Sequence, residues 1–269
     1  MTFRPPGSSR TVGVIDEPLV PLPDKGRVFR SGRRVRLGDV DPSGRLRFDA
    51  CARYLQDNGS DDTADSGMDD PAVTWVARRA VIDVHTPLRW QEWVDLATWC
   101  GGVGGRWAER RLSFAGDGGG RVEAATLWVQ VDTATMAPTR LSDAFLATYA
   151  EAALGRKVSS RLWLGDPPVG AAAAPWPLRA VDLDVVGHVN NAAYWAAVEQ
   201  QIGPGTAFAH ALLGRPHRAV MEYGPGIADG DEVELLVEES EDHLAVWFTV
   251  TGDVQAAAQV VPLDHVGGG

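Results

Sequence analysis

One short segment occurs twice in this chain, the first time as a degenerate copy, and such a repeat limits the possible folds more than any other feature. The second copy, residues 182–191, has the pattern of an extended end, a tight turn at Gly187 and a helix start. The first copy, residues 39–46, has Gly44 at the same turn, 143 positions earlier. Apolar residues follow each copy at helical spacing, so each copy predicts a turn followed by a helix.

A second match indicates that the duplication is larger than this segment. Residues 79–84 align with residues 218–223 at an offset of 139, and a loop that differs by four residues accounts for the changed offset. Two matches in the same order predict two similar units. We expect central helices at about 48–57 and 191–202, each packed against an antiparallel sheet.

The remaining patterns divide the chain into parts. We predict an extended or disordered start over 1–26, a first unit over 27–141, a linker over 142–175 and a second unit over 176–264. Ser142 is expected to cap a helix in the linker, and residues 60–71 are expected to form an acidic surface loop. Alternating or β-branched runs predict strands at 33–37, 74–84, 94–100, 107–114, 123–132, 217–224, 232–239, 243–251 and 255–263.

Composition excludes several function classes. The formal net charge is −11, which argues against nonspecific binding of nucleic acids, because that binding depends on neutralising phosphates. No apolar run is long enough to span a bilayer, and the start lacks an apolar leader, so we expect a cytoplasmic protein. The two cysteines, Cys51 and Cys100, have no metal-site spacing. Cys51 is expected to be a small buried residue.

The second copy carries the residues best suited to chemistry. Asp184 and His188 precede a helix N-terminus, where free N–H groups and a partial positive charge favour negative charge on oxygen. Asn190 or Asn191 could cap that helix. In the first copy Asp41 corresponds to Asp184, but Arg45 replaces the imidazole. The alternative is that these side chains only stabilise two turns and a helix end.

These residues also carry a resemblance to a known family. The pattern Asp-x-Asp-x-x-Gly-His-Val-Asn-Asn-x-x-Tyr at 182–194 resembles the active-site segment of hot-dog-fold thioesterases. Residues 38–44 resemble that segment in 4-hydroxybenzoyl-CoA-type thioesterases. The duplicated arrangement, with the Trp-rich strands at 75–79 and 90–99, is similar to the acyl-ACP thioesterases of plants and bacteria. The resemblance covers roughly residues 27–262.

The resemblance implies an α+β fold, a double hot-dog. Two antiparallel sheets, each wrapped round a central helix, would form one continuous sheet. It implies hydrolysis of fatty acyl thioesters of acyl-carrier protein or coenzyme A to free fatty acid and thiol. A thiolate leaves with little help, so no cofactor or metal is expected. The candidate catalytic residues are Asp184, His188, Asn190, Asn191 and Asp41.

The chain departs from the plant pattern at two places. Val186 stands where the plant enzymes have an Asn, and no Glu–Cys pair is found near residues 226–227. A non-catalytic acyl-binding protein of the same fold therefore remains an alternative. A hot-dog hydratase is a weaker one, because its Asp and His usually lie five positions apart around an Asn-Pro step.

The sequence says less about partners. Arg179, Arg215 and Arg218 lie near the second copy and are expected to meet a substrate phosphate. Assembly into a homodimer is left open by the sequence.

Overall fold

One antiparallel sheet of ten strands, with two long helices on one face, organises the computed structural model, which describes residues 18–203, 207–241 and 243–263. The strands are β1 (Val28–Arg34), β2 (Val73–Thr86), β3 (Trp93–Val103), β4 (Trp107–Gly116), β5 (Arg121–Asp132), β6 (Ala173–Pro175), β7 (His217–Tyr223), β8 (Val233–Ser240), β9 (His243–Val250) and β10 (Asp253–Pro262). The helices are α1 (Phe48–Ser66), α2 (Asp143–Tyr149), α3 (Asn191–Ile202) and α4 (Ala207–Leu213).

The strand order reflects the duplication. It runs β1-β3-β4-β5-β2-β7-β10-β9-β8-β6, and every pairing between these strands is antiparallel. The first-unit strands form one half, the second-unit strands form the other, and β2 pairs with β7 between them. This arrangement confirms the predicted double hot-dog with one continuous sheet.

The two turns before the central helices share their backbone hydrogen bonds. In the first, Asp41 N donates to Arg45 O at 2.9 Å; in the second, Asp184 N donates to His188 O at 2.8 Å. Gly44 and Gly187 have φ angles of +80° and +78°, which a residue with a Cβ adopts only with strain. The offset of 143 read from the sequence is therefore a structural equivalence.

The main core lies between the sheet and the two central helices. Fully buried Tyr54 of α1 and Trp195 of α3 are part of it, and the Phe48 ring lies 5.6 Å from the Trp195 ring. A second, smaller core forms where Phe145 and Tyr149 of α2 pack beside the end of α1. The helix predicted after Ser142 is therefore present, and the Ser142 hydroxyl accepts from Phe145 N at 3.1 Å.

Helix α1 is longer than predicted. We expected it to end at 57 and a loop to cover 60–71, but it continues through Gly59 to Ser66, and Gly67 ends it with φ +67°. The extension is held by polar contacts rather than by an apolar stripe. Asn58 Nδ2 donates to Ser31 Oγ at 2.6 Å, and the buried Asp62 accepts from Arg27 Nε at 2.7 Å and from Arg110.

The other face of the sheet is covered by segments without long helices. Trp163 and Leu164 of the linker pack over Val81 and Val220, and Leu19 joins them. The indole N–H of Trp247 donates to Gly165 O at 2.8 Å. This part of the linker is therefore packed against the sheet.

Several smaller elements differ from the prediction. The strand predicted at 33–37 begins earlier, at Val28, and Leu37–Asp39 is a short 3-10 turn. The short strand β6 lies inside the predicted linker and pairs with β8. Helix α4 was not predicted. Residues 1–17 of the expected disordered start lie outside the described residues, and the unit boundaries at 27, 141 and 176 stay a prediction.

Candidate active site

The turn of the second copy holds Asp184 by one of its two oxygens. Its Oδ1 accepts from Val186 N at 3.0 Å and from His188 N at 3.3 Å. Within the described ranges, no group donates to Oδ2. Asp184 is therefore fixed in orientation while one carboxylate oxygen stays available to a proton donor.

The start of α3 presents an unused backbone donor next to this carboxylate. Asn190 is the N-cap, and its Oδ1 accepts from Ala192 N at 2.9 Å. In the part of the chain that the structure describes, no acceptor takes the Asn191 N–H. Such a group, at the positive end of a helix, can donate to an oxygen that becomes negative.

A cavity of about 820 Å³ lies next to these two groups. Asp184 and Asn191 contribute to its lining, and nearly all the other lining residues come from the first unit and from α2. The apolar part of its wall includes five aromatic residues, Trp75, Trp99, Trp128, Phe145 and Tyr149, together with smaller apolar side chains such as Met68 and Val73. The volume falls in the range of ~300–1,000 Å³ usual for sites that bury small ligands. The carboxylate of one repeat thus lies at a cavity built by the other.

Buried charges hold the cavity wall formed by the second half of α1. The Asp62 side chain is 1% exposed and joins Arg27 to Arg110, which lines the cavity. Ser66 Oγ lies 2.7 Å from the Tyr149 hydroxyl and connects α1 to α2. The extension of α1 that the sequence did not predict is therefore one wall of the cavity.

His188 lies beside Asp184 but faces a different environment. Its side chain is exposed, and it is not among the residues that line the cavity. Its backbone pairs with Ala228, and Asp229 N donates to Gly187 O at 3.3 Å. No side-chain hydrogen bond to the imidazole occurs among the described residues. Val186, which stands in the place of the plant Asn, is 62% exposed.

In the corresponding turn of the first copy, both carboxylate oxygens of Asp41 accept hydrogen bonds. Asp41 Oδ1 accepts from Ser43 N, Ser43 Oγ and Arg45 N, and Oδ2 accepts from Arg45 Nε at 3.1 Å. Burial alone would raise the pKa of Asp41, but these donors hold it below its ordinary value. Arg45 also donates to Glu199 of α3 at 2.6 Å. Asp41 has the contacts of a turn residue, with neither oxygen left over.

The arginines expected to meet phosphate have other partners. Arg218 is buried and donates to both oxygens of Asp83, at 2.6 and 2.7 Å, so this expectation is wrong. Arg179 pairs with Asp182 at 2.6 Å beside the second turn. Arg215 also makes interactions within the chain. Of these three arginines, Arg179 is the one with an exposed side chain that a phosphate could reach.

Buried side chains elsewhere have structural contacts. Glu222 accepts from Trp163 N and Leu164 N at 2.6 and 2.9 Å and so ties the linker to the sheet; burial raises its pKa above the ordinary value. Burial also raises the pKa of the Cys51 thiol, and that of the Cys100 thiol to about 11, so both are poor nucleophiles at neutral pH. No cluster of three or more metal-ligating side chains was found among the described residues.

Comparison with known proteins decides the family. The profile of the acyl-ACP thioesterase N-terminal domain matches residues 26–149, and that of the acyl-ACP thioesterase C-terminal domain matches residues 170–261. The chain belongs to the acyl-ACP thioesterase family. Membership supports thioesterase activity on acyl thioesters, and it accounts for the two turn-plus-helix repeats.

A curated relative and two solved structures extend this comparison. The uncharacterized protein Rv2001 of Mycobacterium tuberculosis is 34% identical over 247 residues, which are 91% of this chain and 96% of that protein. An acyl-ACP thioesterase from Bacteroides thetaiotaomicron superposes with a TM-score of 0.71 at 19% identity and covers 87% of this chain and 97% of that one. The 12:0-ACP thioesterase from Umbellularia californica gives 0.71 at 18% identity, with 87% and 96% covered. The two structural matches confirm the fold.

Two features of this acyl-ACP thioesterase family member were not found from the sequence. The first is the cavity itself, because its walls come from residues far apart in the chain. The second is Gln56, which lines the cavity together with Asp184 and Asn191. The repeat offset could have pointed to it, since Gln56 lies 143 positions before Glu199.

None of the helices in the described part of the chain has the length and apolar character that a membrane span requires.

Proposed function

We propose that this protein hydrolyses fatty acyl thioesters of acyl-carrier protein or coenzyme A to a free fatty acid and a thiol. The observation that carries the proposal is the position of Asp184 and the Asn191 N–H at one cavity of about 820 Å³. The aromatic lining suits an acyl chain, and the family match supports a thioester as the reacting group. The reaction would belong to fatty acid metabolism.

In this proposal Asp184 acts as the general base. Its Oδ2, free of protein donors in the described ranges, accepts a proton from a water molecule as the water oxygen bonds to the thioester carbon. The electron pair of the C=O bond moves onto oxygen, where the Asn191 N–H stabilises the charge. Collapse of this intermediate breaks the C–S bond, and the leaving thiolate takes up the proton that Asp184 had accepted, which restores the base.

Asn190 and His188 would assist in different ways. Asn190 caps α3 and so fixes the direction of the Asn191 N–H. His188 follows the turn that Asp184 closes, and we assign its exposed imidazole the role of assisting the departing thiolate. We assign Asp41 no chemical step, because both of its carboxylate oxygens already accept hydrogen bonds from Ser43 or Arg45.

The test is thiol release from a panel of acyl thioesters that differ in chain length, presented on coenzyme A and on acyl-carrier protein. We expect thiol release that depends on the protein and varies with chain length. Binding of the acyl group with no thiol released from any substrate would contradict the proposal and favour the non-catalytic acyl-binding alternative. Hydration of an enoyl thioester without thiol release would favour the hydratase.

A further inference from the structure

The starts of the two central helices differ in one respect. At the start of α1 a side chain accepts the first backbone N–H, whereas at the start of α3 the first N–H has no acceptor among the described residues. Glu199 of α3 reaches across to α1, and its Oε1 accepts from Phe48 N, the first amide of that helix, at 2.7 Å. Its Oε2 accepts from Arg45 at 2.6 Å. A carboxylate oxygen thus occupies the position at a helix N-terminus that favours a negative oxygen.

The repeat offset of 143 assigns each of these residues a counterpart in the second copy. Phe48 corresponds to Asn191, and Glu199 corresponds to Gln56. Gln56 is half-buried on α1 and lines the cavity together with Asp184 and Asn191. Among the described residues, neither the Gln56 carboxamide nor the Asn191 N–H has a hydrogen-bond partner. The Asn191 N–H is therefore open where its counterpart is bonded, and the residue that the repeat offset places opposite it is neutral.

We propose that Gln56 is a catalytic residue that donates, through its carboxamide N–H, a second hydrogen bond to the thioester carbonyl oxygen beside the Asn191 N–H. This inference rests on the proposed thioester hydrolysis. As water adds to the carbonyl carbon, the oxygen becomes negative, and an amide donor stabilises that charge. A carboxylate at the same place would repel it, as Glu199 would in the first copy. Glu199 blocks the helix start in the first copy with its carboxylate, whereas Gln56 leaves the helix start in the second copy free for the substrate oxygen.

The experiment compares Gln56→Glu with Gln200→Glu, which makes the same chemical change at an exposed residue of α3. Both variants are assayed for kcat and KM on an acyl-CoA substrate between pH 4.5 and 8. We expect kcat of Gln56→Glu to fall about 10²–10³-fold at neutral pH, the usual effect of losing one oxyanion donor. The ratio of its kcat to that of wild type should rise toward low pH as the new carboxyl is protonated. Gln200→Glu should follow wild type throughout.

Gln56→Leu keeps a similar size and adds no charge, so it separates hydrogen bonding from charge. We expect its kcat to fall about 10²-fold or more at every pH, with KM changed much less. If wild type releases thiol and either Gln56 variant keeps the wild-type kcat, the role of Gln56 is wrong while the proposed function stands. If wild type releases no thiol, both proposals are overturned.

Discussion

Val81 lies directly opposite Val220 where β2 pairs with β7. The two residues are also related by the repeat offset of 139, so each is the other's counterpart. On either side of them, Arg79 pairs with Glu222 in register and Asp83 pairs with Arg218. The sheet therefore has a local two-fold arrangement centred on these valines, and the two units meet there through equivalent surfaces.

Asp184→Asn should lower kcat about 10²–10⁴-fold while leaving the fold intact. The asparagine keeps the size of the side chain but cannot accept a proton, which is the contribution expected of a general base. Steady-state thiol release at saturating substrate, with circular dichroism as the control for folding, measures this. An unchanged kcat would show that the base is elsewhere.

Asp41→Asn should affect stability rather than turnover. The carboxylate accepts bonds from Ser43 and Arg45, and losing its charge weakens them, so we expect the free energy of unfolding to fall by about 1–3 kcal/mol. Because none of its oxygens is free, kcat should stay near wild type. Denaturant unfolding and thiol release measure the two effects. Loss of activity in a stable Asp41→Asn protein would assign chemistry to the first repeat.

The origin of the oxygen in the fatty acid distinguishes a general base from a nucleophile. A single turnover in H₂¹⁸O with enzyme in excess should place ¹⁸O directly in the released acid if Asp184 activates water. Direct attack by Asp184 would first release the thiol and form a mixed anhydride. Water that then adds to the Asp184 carboxyl carbon would leave ¹⁸O on the protein and expel the fatty acid with an unlabelled Asp184 oxygen. Mass spectrometry of the product and of the peptide that contains Asp184 separates the two outcomes.

Asp62→Asn should destabilise the second half of α1. Its carboxylate is 1% exposed and joins Arg27 to Arg110, and breaking a buried ion pair costs about 3–5 kcal/mol. Asp65→Asn is the matched control, because Asp65 also pairs with Arg27 on the same helix but is 57% exposed. Thermal unfolding should show a clear fall in the melting temperature of Asp62→Asn and only a small fall for Asp65→Asn. Equal losses would mean that burial of the pair is not what stabilises α1.

The buried His217 should make stability depend on pH. Burial lowers the pKa of its imidazole to about 4 from 6.5, so the unfolded chain binds a proton at pH values where the folded one does not. The free energy of unfolding should therefore be fully retained above pH 6.5 and fall toward pH 4, at about 1.4 kcal/mol per pH unit at most. Urea unfolding across this range measures the slope. His217→Gln should reduce this slope, and an unchanged slope in that variant would contradict the prediction.

The sequence predicted those elements that apolar periodicity specifies. Helix α3 was predicted at its observed limits because alanine, tyrosine and tryptophan side chains recur on one face before Gly203. The second half of α1 was missed because Asn58 and Asp62 are buried by hydrogen bonds and ion pairs, which leave no apolar pattern. The turn with Asp184 was predicted from its residues. The cavity beside it was not, since it depends on how α1, α2 and the sheet meet.

In a dimer of identical hot-dog subunits, every substitution is present in both subunits. A mutation that blocks one active site therefore blocks the other as well. In this chain, residues in equivalent positions are encoded separately, and the position that is Gln56 in one repeat is Glu199 in the other. In one polypeptide with two units, the two equivalent places need not keep the same residues. Glu199 therefore joins the two central helices through Arg45 and Phe48 N, whereas the Asn191 N–H at the other helix start has no acceptor among the described residues.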